Sequence, residues 1–296
     1  MKVAVFGLGS MGYGMAASLL RAGYQTYGID VRPTQKKHYQ AEGGAVGEIA
    51  DIAATLDAMV VVVLNAAQTE NVLFGADGVV PRLKRNAVVI ACATVPPDFA
   101  REMAVRCGTT GVHYLDAPIS GGSVKAAQGK LSVMASGTAP AFAAARPVLD
   151  ATAETVFELG PEAGAGSAMK AVNQLLAGVH IATMAEAITF GMTQGVSPEK
   201  FVEVISKCAG TSWMLENRAP HIVEGDYTPR SSIDIWPKDL GIVLDIARRA
   251  KFSAPITAAT LQQFLAASGM GLGSEDDAAV AKVYARNAGL TLPGEE

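Results

Sequence analysis

Three stretches of the chain hold residues whose types and spacing could do chemistry. The first is Gly7-Leu8-Gly9-Ser10-Met11-Gly12, a G-x-G-x-x-G that follows the apolar run Lys2–Phe6. In such a run Gly7 allows a tight turn, Gly9 lets a pyrophosphate reach the backbone, and Gly12 lets a helix pack close on its strand. A helix from Tyr13 to Arg21, closed by Gly23, follows, and its N-terminal end offers free N–H groups to phosphates. Asp30 ends a second strand, Thr26–Ile29, eighteen residues after Gly12. A carboxylate there binds the adenosine ribose hydroxyls of a dinucleotide. The alternative is a glycine-rich turn that binds nothing. It leaves unexplained why the chain gives up helix propensity at Gly9 and Gly12, about 1 kcal/mol each relative to alanine.

The second stretch is Gly164-Ala-Gly-Ser-Ala-Met-Lys170-Ala-Val-Asn173-Gln174, at the start of a long apolar helical run. Lysine is rarely buried without a reason. Asn173 projects from the same helix face one turn later. A lysine desolvated beside a domain junction would have a lowered pKa and could act as general acid or base. It could equally snorkel out of the first turn. The third stretch is Asp116-Ala-Pro-Ile-Ser120-Gly121-Gly122, just past the C-terminal end of a strand. A serine and two glycines there can present a hydroxyl and backbone N–H groups to a carboxylate, or form an ordinary loop. Trp236-Pro-Lys238-Asp239-Leu240 adds a cation and an acid at a helix start, where Asp239 is also a plausible cap or dipole partner.

The elements that must position these residues are legible in outline. Residues 1–162 alternate Val/Ile-rich runs with helical stretches, with strands expected at 2–6, 25–29, 58–63, 87–91, 112–115, 131–135 and 153–157. The unbroken apolar runs at 59–63 and 87–91 suit central parallel strands covered on both faces. The expected fold class is α/β, a Rossmann-type doubly wound parallel sheet. From 163 to 296 no strand signal remains, and an all-α domain is expected, with helices near 197–207, 212–224, 237–250, 255–268 and 276–287. The stretch Ala165–Gln194 is apolar on nearly every side, so it should be buried between domains or subunits. It is not read as membrane-spanning, because Lys170, Asn173, Gln174, His180 and Glu186 interrupt it. The tail from Leu290 is expected to be loose.

Composition narrows the partners. Lys and Arg total 24 against 28 Asp and Glu, a net charge of −4. That leaves no basic footprint, so nucleic acid is not an expected partner. Cys92, Cys107 and Cys208 read as reduced core thiols of a cytoplasmic protein. The histidines show no ligand spacing, so no metal site is expected. Met1 runs straight into the first strand, so no signal peptide is expected.

The four motifs, in this order, resemble the β-hydroxyacid dehydrogenase family, which includes 3-hydroxyisobutyrate dehydrogenase and tartronate semialdehyde reductase. The resemblance runs from Val3 to about Gly289. Asp116–Gly122 is similar to the family's D-A-P-V-S-G-G, Gly164–Asn173 to its G-x-G-x-x-x-K-x-x-N, and Lys238-Asp239-Leu240 to its K-D-L. It implies an NAD-dependent oxidation of a small anionic hydroxy acid with Lys170 as general acid/base. Asn173 would orient the substrate, and Ser120, Gly121 and Gly122 would hold its carboxylate. Leu64 and Asn65, following the fourth parallel strand, would lie beside the cofactor with Thr94, and Lys238 over the nicotinamide side. The family often has a serine before that threonine, and here the residue is Ala93. The chemistry is consistent: the nicotinamide takes a hydride, and a base must take the hydroxyl proton. Cations at Lys170 and Lys238 would favour an anionic substrate.

Met169–Ala187, Gly210–Met214 and Glu216–Arg218 resemble the branch acting on four-carbon sugar acids, the L-threonate dehydrogenases. Gln174, His180, Thr211 and Ser212 would suit a polyhydroxy chain, though each could be a satisfied core group. Rival readings are a tartronate or succinic semialdehyde reductase, 3-hydroxyisobutyrate dehydrogenase itself, and a non-catalytic dinucleotide-sensing module. The apolar C-terminal helices carry more surface than their domain needs, so a homodimer or homotetramer is expected.

Overall fold

The computed structural model describes residues 1–295. The chain divides into two compact units, residues 1–170 and residues 171 onward. The first holds a five-stranded sheet in the order β2-β1-β3-β4-β5, all parallel. Its strands are β1 (Lys2–Phe6), β2 (Gln25–Ile29), β3 (Ala58–Val61), β4 (Val88–Ala91) and β5 (His113–Asp116). Val3, Val5, Val60, Val88 and Ile90 face one core layer with Met15 and Leu19. Ala4, Phe6, Met59, Val61 and Val89 face the other with Leu73 and Met103. Every residue of β3 and β4 is buried, which is why these runs are apolar without alternation.

The strands expected at 131–135 and 153–157 do not extend this sheet. They are β7 (Leu131–Ala135) and β8 (Ala153–Glu158), and with β6 (Ile119–Ser120) they form a separate three-stranded sheet. β6 runs antiparallel to β7, whereas β8 runs parallel to it. The helices of this unit are α1 (Ser10–Arg21), α2 (Pro33–Ala41), α3 (Ile49–Ile52), α4 (Ala66–Phe74), α5 (Pro97–Thr109), α6 (Gly122–Gln128) and α7 (Ala139–Thr152). The chain leaves β1 toward β2 on one side and later returns to β3 on the other. The C-terminal ends of β1 and β3 therefore flank the switch point, where open α/β sheets bind ligands.

The helix α8 (Ala165–Thr193) starts in the first unit and continues through the second. The second unit is helical: α9 (Pro198–Ile205), α10 (Trp213–Glu224), α11 (Ile235–Arg249), α12 (Pro255–Ala267) and α13 (Ala281–Ala288). Ile181, Met184 and Ile188 of α8 lie in its core with Phe201, Ile222, Leu240 and Phe264. Trp236 stacks on Phe264 at 5.4 Å between ring centroids, and its Nε1–H donates to the buried Asp277 at 3.0 Å. That bond fixes the first turn of α11.

Two further expectations are overturned. The tail is anchored: Leu292 is buried, its N–H donates to Glu295 at 3.3 Å, and Leu290 N–H donates to the Ala285 carbonyl at 2.9 Å. Leu292 and the partly buried Leu290 both pack on the core of the second unit. Cys208 is exposed, unlike Cys92 and Cys107, because it sits in the turn after α9. In the single chain α8 leaves Val172, Leu176 and Phe190 54%, 49% and 66% exposed.

Candidate active site

The glycine run follows β1 at the switch point. A Cβ on Gly12 would meet the Gly7 carbonyl and lie 3.2 Å from the Val62 side chain, so only glycine lets α1 start this close to the strand. A Cβ on Gly9 would meet nothing within 4 Å. Gly9 thus leaves open space beside the first turn of α1, which begins at Ser10 and Met11. A cavity of about 500 Å³ runs past Gly7, Gly9, Asp30, Arg32, Leu64 and Gln68. These residues fit a dinucleotide.

Asp30 lines that cavity. Its Oδ2 accepts the Leu8 N–H at 2.7 Å. Its Oδ1 accepts the Arg32 N–H at 2.8 Å and Nε–H at 3.0 Å. Burial raises the Asp30 pKa, but the Arg32 guanidinium and the two backbone donors outweigh it and hold the carboxyl below its ordinary range. Leu64 and Asn65 follow β3, the third strand of the chain rather than the fourth. Asn65 is the N-cap of α4, and its side chain accepts the Gln68 N–H at 2.8 Å. Thr94 follows β4 and is half-buried.

The lysine stretch is anchored by Asp116, the last residue of β5 and fully buried. Its Oδ2 accepts the N–H groups of Gly164 and Ser167, both at 2.8 Å. Oδ1 accepts the Ser167 hydroxyl at 2.7 Å. Ser136 donates to Oδ2 at 3.3 Å and accepts the Gly166 N–H at 2.9 Å. One buried carboxylate thus caps the start of α8. Gly166 is required by the approach: a Cβ there would meet the Met134 carbonyl and lie 2.8 Å from the Asp116 carbonyl. Burial pushes the Asp116 carboxyl above its ordinary range, against the pull of the Ser167, Gly164 and Ser136 donors.

One turn on from Ser167, Lys170 is buried, and its Nζ donates to the Ile119 carbonyl at 2.9 Å. Ile119 precedes Ser120, and Gly121 and Gly122 take φ of 134° and 76°. The first unit therefore brings Lys170 together with the Ser120-Gly121-Gly122 turn. In the second unit the amide of Asn173 donates to Gln174 Oε1 at 2.9 Å. Gln174 Nε2 donates to Asp239 Oδ2 at 2.5 Å, and Lys238 Nζ lies 2.7 Å from Asp239 Oδ1. Asp239 is buried in this pairing and does not cap α11. His180, Thr211 and Ser212 line a separate cavity of about 390 Å³ in the second unit. Two of them serve the start of α10: Ser212 accepts the Leu215 N–H at 3.1 Å, and Thr211 donates to Glu216 at 2.8 Å.

Sequence reasoning missed Asp116, Ser136 and Ser167. The signal for the first was an acid ending an apolar strand, and for the last a serine two residues into a helix. Neither pattern says that the two meet.

Residues 2–160 match the family described as the NAD binding domain of 6-phosphogluconate dehydrogenase. Residues 164–284 match the NAD-binding region of NADP-dependent 3-hydroxyisobutyrate dehydrogenase. The L-threonate dehydrogenase of Cupriavidus necator is 48% identical over 295 residues, covering 99% of this chain and 98% of that protein. That of Escherichia coli K12 is 46% identical over 296 residues, covering 99% and 96%. The crystal structure of 3-hydroxyisobutyrate dehydrogenase from Salmonella typhimurium superposes with a TM-score of 0.90 at 46% identity, covering 96% of this chain and 99% of that one. The dinucleotide cradle at the switch point, the lysine held beside the serine-glycine turn, and these full-length matches make the chain a member of the 3-hydroxyisobutyrate dehydrogenase-like family, hydroxyacid oxidoreductases that use a nicotinamide dinucleotide.

Proposed function

We propose that the chain oxidises L-threonate to its 2-oxo acid, with NAD as oxidant and Lys170 as proton acceptor. The observation that carries the chemistry is the Lys170 amine, held 2.9 Å from the Ile119 carbonyl and next to Ser120. Acting as base, the deprotonated amine would accept the substrate hydroxyl through its nitrogen lone pair. The hydroxyl proton passes to Nζ as the carbonyl forms, and the bound nicotinamide supplies the hydride acceptor. Ser120 and the N–H groups of Gly121 and Gly122 hold the substrate carboxylate, and Asn173 orients the chain beyond it. Gly7, Gly9, Ser10, Met11 and Gly12 would hold the pyrophosphate, Asp30 the adenosine ribose, and Leu64, Asn65, Thr94 and Lys238 the rest of the cofactor.

The substrate reading is supported by L-threonate dehydrogenases from several bacteria, 44% to 48% identical along nearly the whole chain. A second reading, 3-hydroxyisobutyrate, is favoured by the name of the Salmonella structure at 46% identity. NADH formation from a panel of C3 to C6 hydroxy acids separates them: L-threonate should give the highest kcat/KM. A higher value for 3-hydroxyisobutyrate overturns the substrate, and binding of NAD without any turnover points to a sensing module. A cytoplasmic site of action belongs to the same proposal. It is supported by the unpaired thiols of Cys92, Cys107 and Cys208.

Lys170→Ala should lose at least about a hundredfold in kcat, the usual size of a general acid–base contribution, while NAD binds nearly as well. Lys170→Arg should not rescue, because a guanidinium cannot release its proton near neutral pH. The wild-type rate should rise with pH as the amine loses its proton, and that limb should vanish in both variants. Activity of Lys170→Arg within a few-fold of wild type would end the assignment.

NAD should be preferred over NADP by roughly ten- to a hundredfold, because Asp30 repels a 2′-phosphate. Asp30→Ala should narrow or invert that ratio, since Arg32 is then released to meet the phosphate. Equal kcat/KM for the two cofactors in the wild type would count against this.

A homodimer or homotetramer built on the C-terminal helices is the third part of the proposal. Val172, Leu176, Val179, Ala187 and Phe190 recur at spacings of three, four and eight along α8, one stripe of an amphipathic face. Light scattering at micromolar concentration should give a multiple of the 30.6 kDa chain mass, and a monomer would refute it.

A further inference from the structure

The second unit holds a chain of hydrogen bonds whose polarity is set from one end. Lys238 and Asp239 are ion-paired through Oδ1 at 2.7 Å. The other oxygen of that buried carboxylate, Oδ2, faces the side-chain amide of Gln174 at 2.5 Å. A carboxylate only accepts hydrogen bonds. Gln174 must therefore turn its NH2 toward Asp239 and its carbonyl away. That carbonyl, Oε1, lies 2.9 Å from Asn173. Asn173 must in turn face Gln174 with its NH2, and its own Oδ1 is left for other company. An amide can ordinarily be read either way round. Here the charged end leaves one choice at each link.

We infer that Asp239 and Gln174 are positioning residues that fix Asn173 as a hydrogen-bond acceptor toward substrate, and so select an acid with a hydroxyl beside the reacting carbon. The inference rests on the proposed oxidation at Lys170. Residues three apart on a helix lie about 5–6 Å from one another. Lys170 takes the proton of the reacting hydroxyl, and Asn173, one turn along, meets the next position of the substrate chain. An acceptor there binds a hydroxyl and has nothing to bind on a methylene or methyl group. A buried polar group built to pair with a substrate hydroxyl discriminates strongly against the analogue that lacks it. The selected class is the vicinal dihydroxy acid, as opposed to a methyl-branched or deoxy acid.

The test compares L-threonate with 2,4-dihydroxybutanoate, which keeps the reacting hydroxyl and lacks its neighbour. Wild-type kcat/KM should favour L-threonate by at least about tenfold. Asp239→Asn is the informative variant. Lys238 still demands an acceptor, so the new amide presents its NH2 to Gln174. The whole relay then inverts, and Asn173 offers an N–H in place of Oδ1. The preference for L-threonate should fall by about tenfold or more. Gln174→Met, which keeps length and bulk but cuts the relay, should lower it similarly. Melting temperature and NAD affinity, measured alongside, show whether each variant is folded. A preference within twofold of wild type in a folded Asp239→Asn overturns the inference. A wild type that treats both acids alike overturns it too and leaves the oxidation itself standing. A wild type that oxidises neither acid sinks the functional reading and the inference with it.

Discussion

A carboxylate with no exposure to water is expensive unless every lone pair finds a donor. Asp116 meets that condition only when α8 begins where it does. The N–H groups of Gly164 and Ser167, the Ser167 hydroxyl and the Ser136 hydroxyl all converge on it. Shifting the helix start by one residue would strand the acid or the free N–H groups of the first turn. The same segment fixes a second point, because the Ile119 carbonyl, three residues past Asp116, receives the Lys170 amine. A strand end and the loop behind it thus hold a helix at its first turn and at its second. That is how a flexible side chain of four methylenes comes to have one position.

The two units divide the work. In the first, the reversal of strand order between β1 and β3 makes the crevice, and Gly7 and Gly9 line it. Asp30 supplies a fixed negative charge to that cavity, steadied by Leu8 and Arg32. In the second, polarity propagates from an ion pair through two amides. Neither device is costly in sequence: each uses a few polar side chains supported by an apolar frame.

Much of this was legible in the chain itself. The apolar runs of β3 and β4 read as central strands because both their faces are covered, and the glycine run announced the turn and the helix. The second sheet was not legible. β6 is two residues long, and β7 and β8 look like two more strands of an open parallel sheet, since pairing partners are not written in a period-two pattern. The long helix is apolar on nearly every side, and an apolar average does not say which face the single chain covers: Val172 and Phe190 are exposed in it. Lys170 and Asn173 stood out because polar residues interrupt an apolar stretch. Asp116 did not, because an acid at a strand end is ordinarily solvated, and only the tertiary approach of Gly166 makes it a buried anchor. The pairing of Gln174 with Asp239 spans 65 positions, a distance across which no local pattern informs.

The central claim is that the Asp116 carboxylate places the proposed base. Asp116→Asn keeps the shape of the side chain and turns an NH2 toward donors that now lack an acceptor. Single-turnover measurement of the hydride-transfer rate, with cofactor affinity determined on the same sample, tests it most directly. The rate should fall by roughly ten- to a hundredfold, as expected when a catalytic group is displaced by about 1 Å, while NAD binds within twofold of wild type. An unchanged rate in the folded variant would contradict the account.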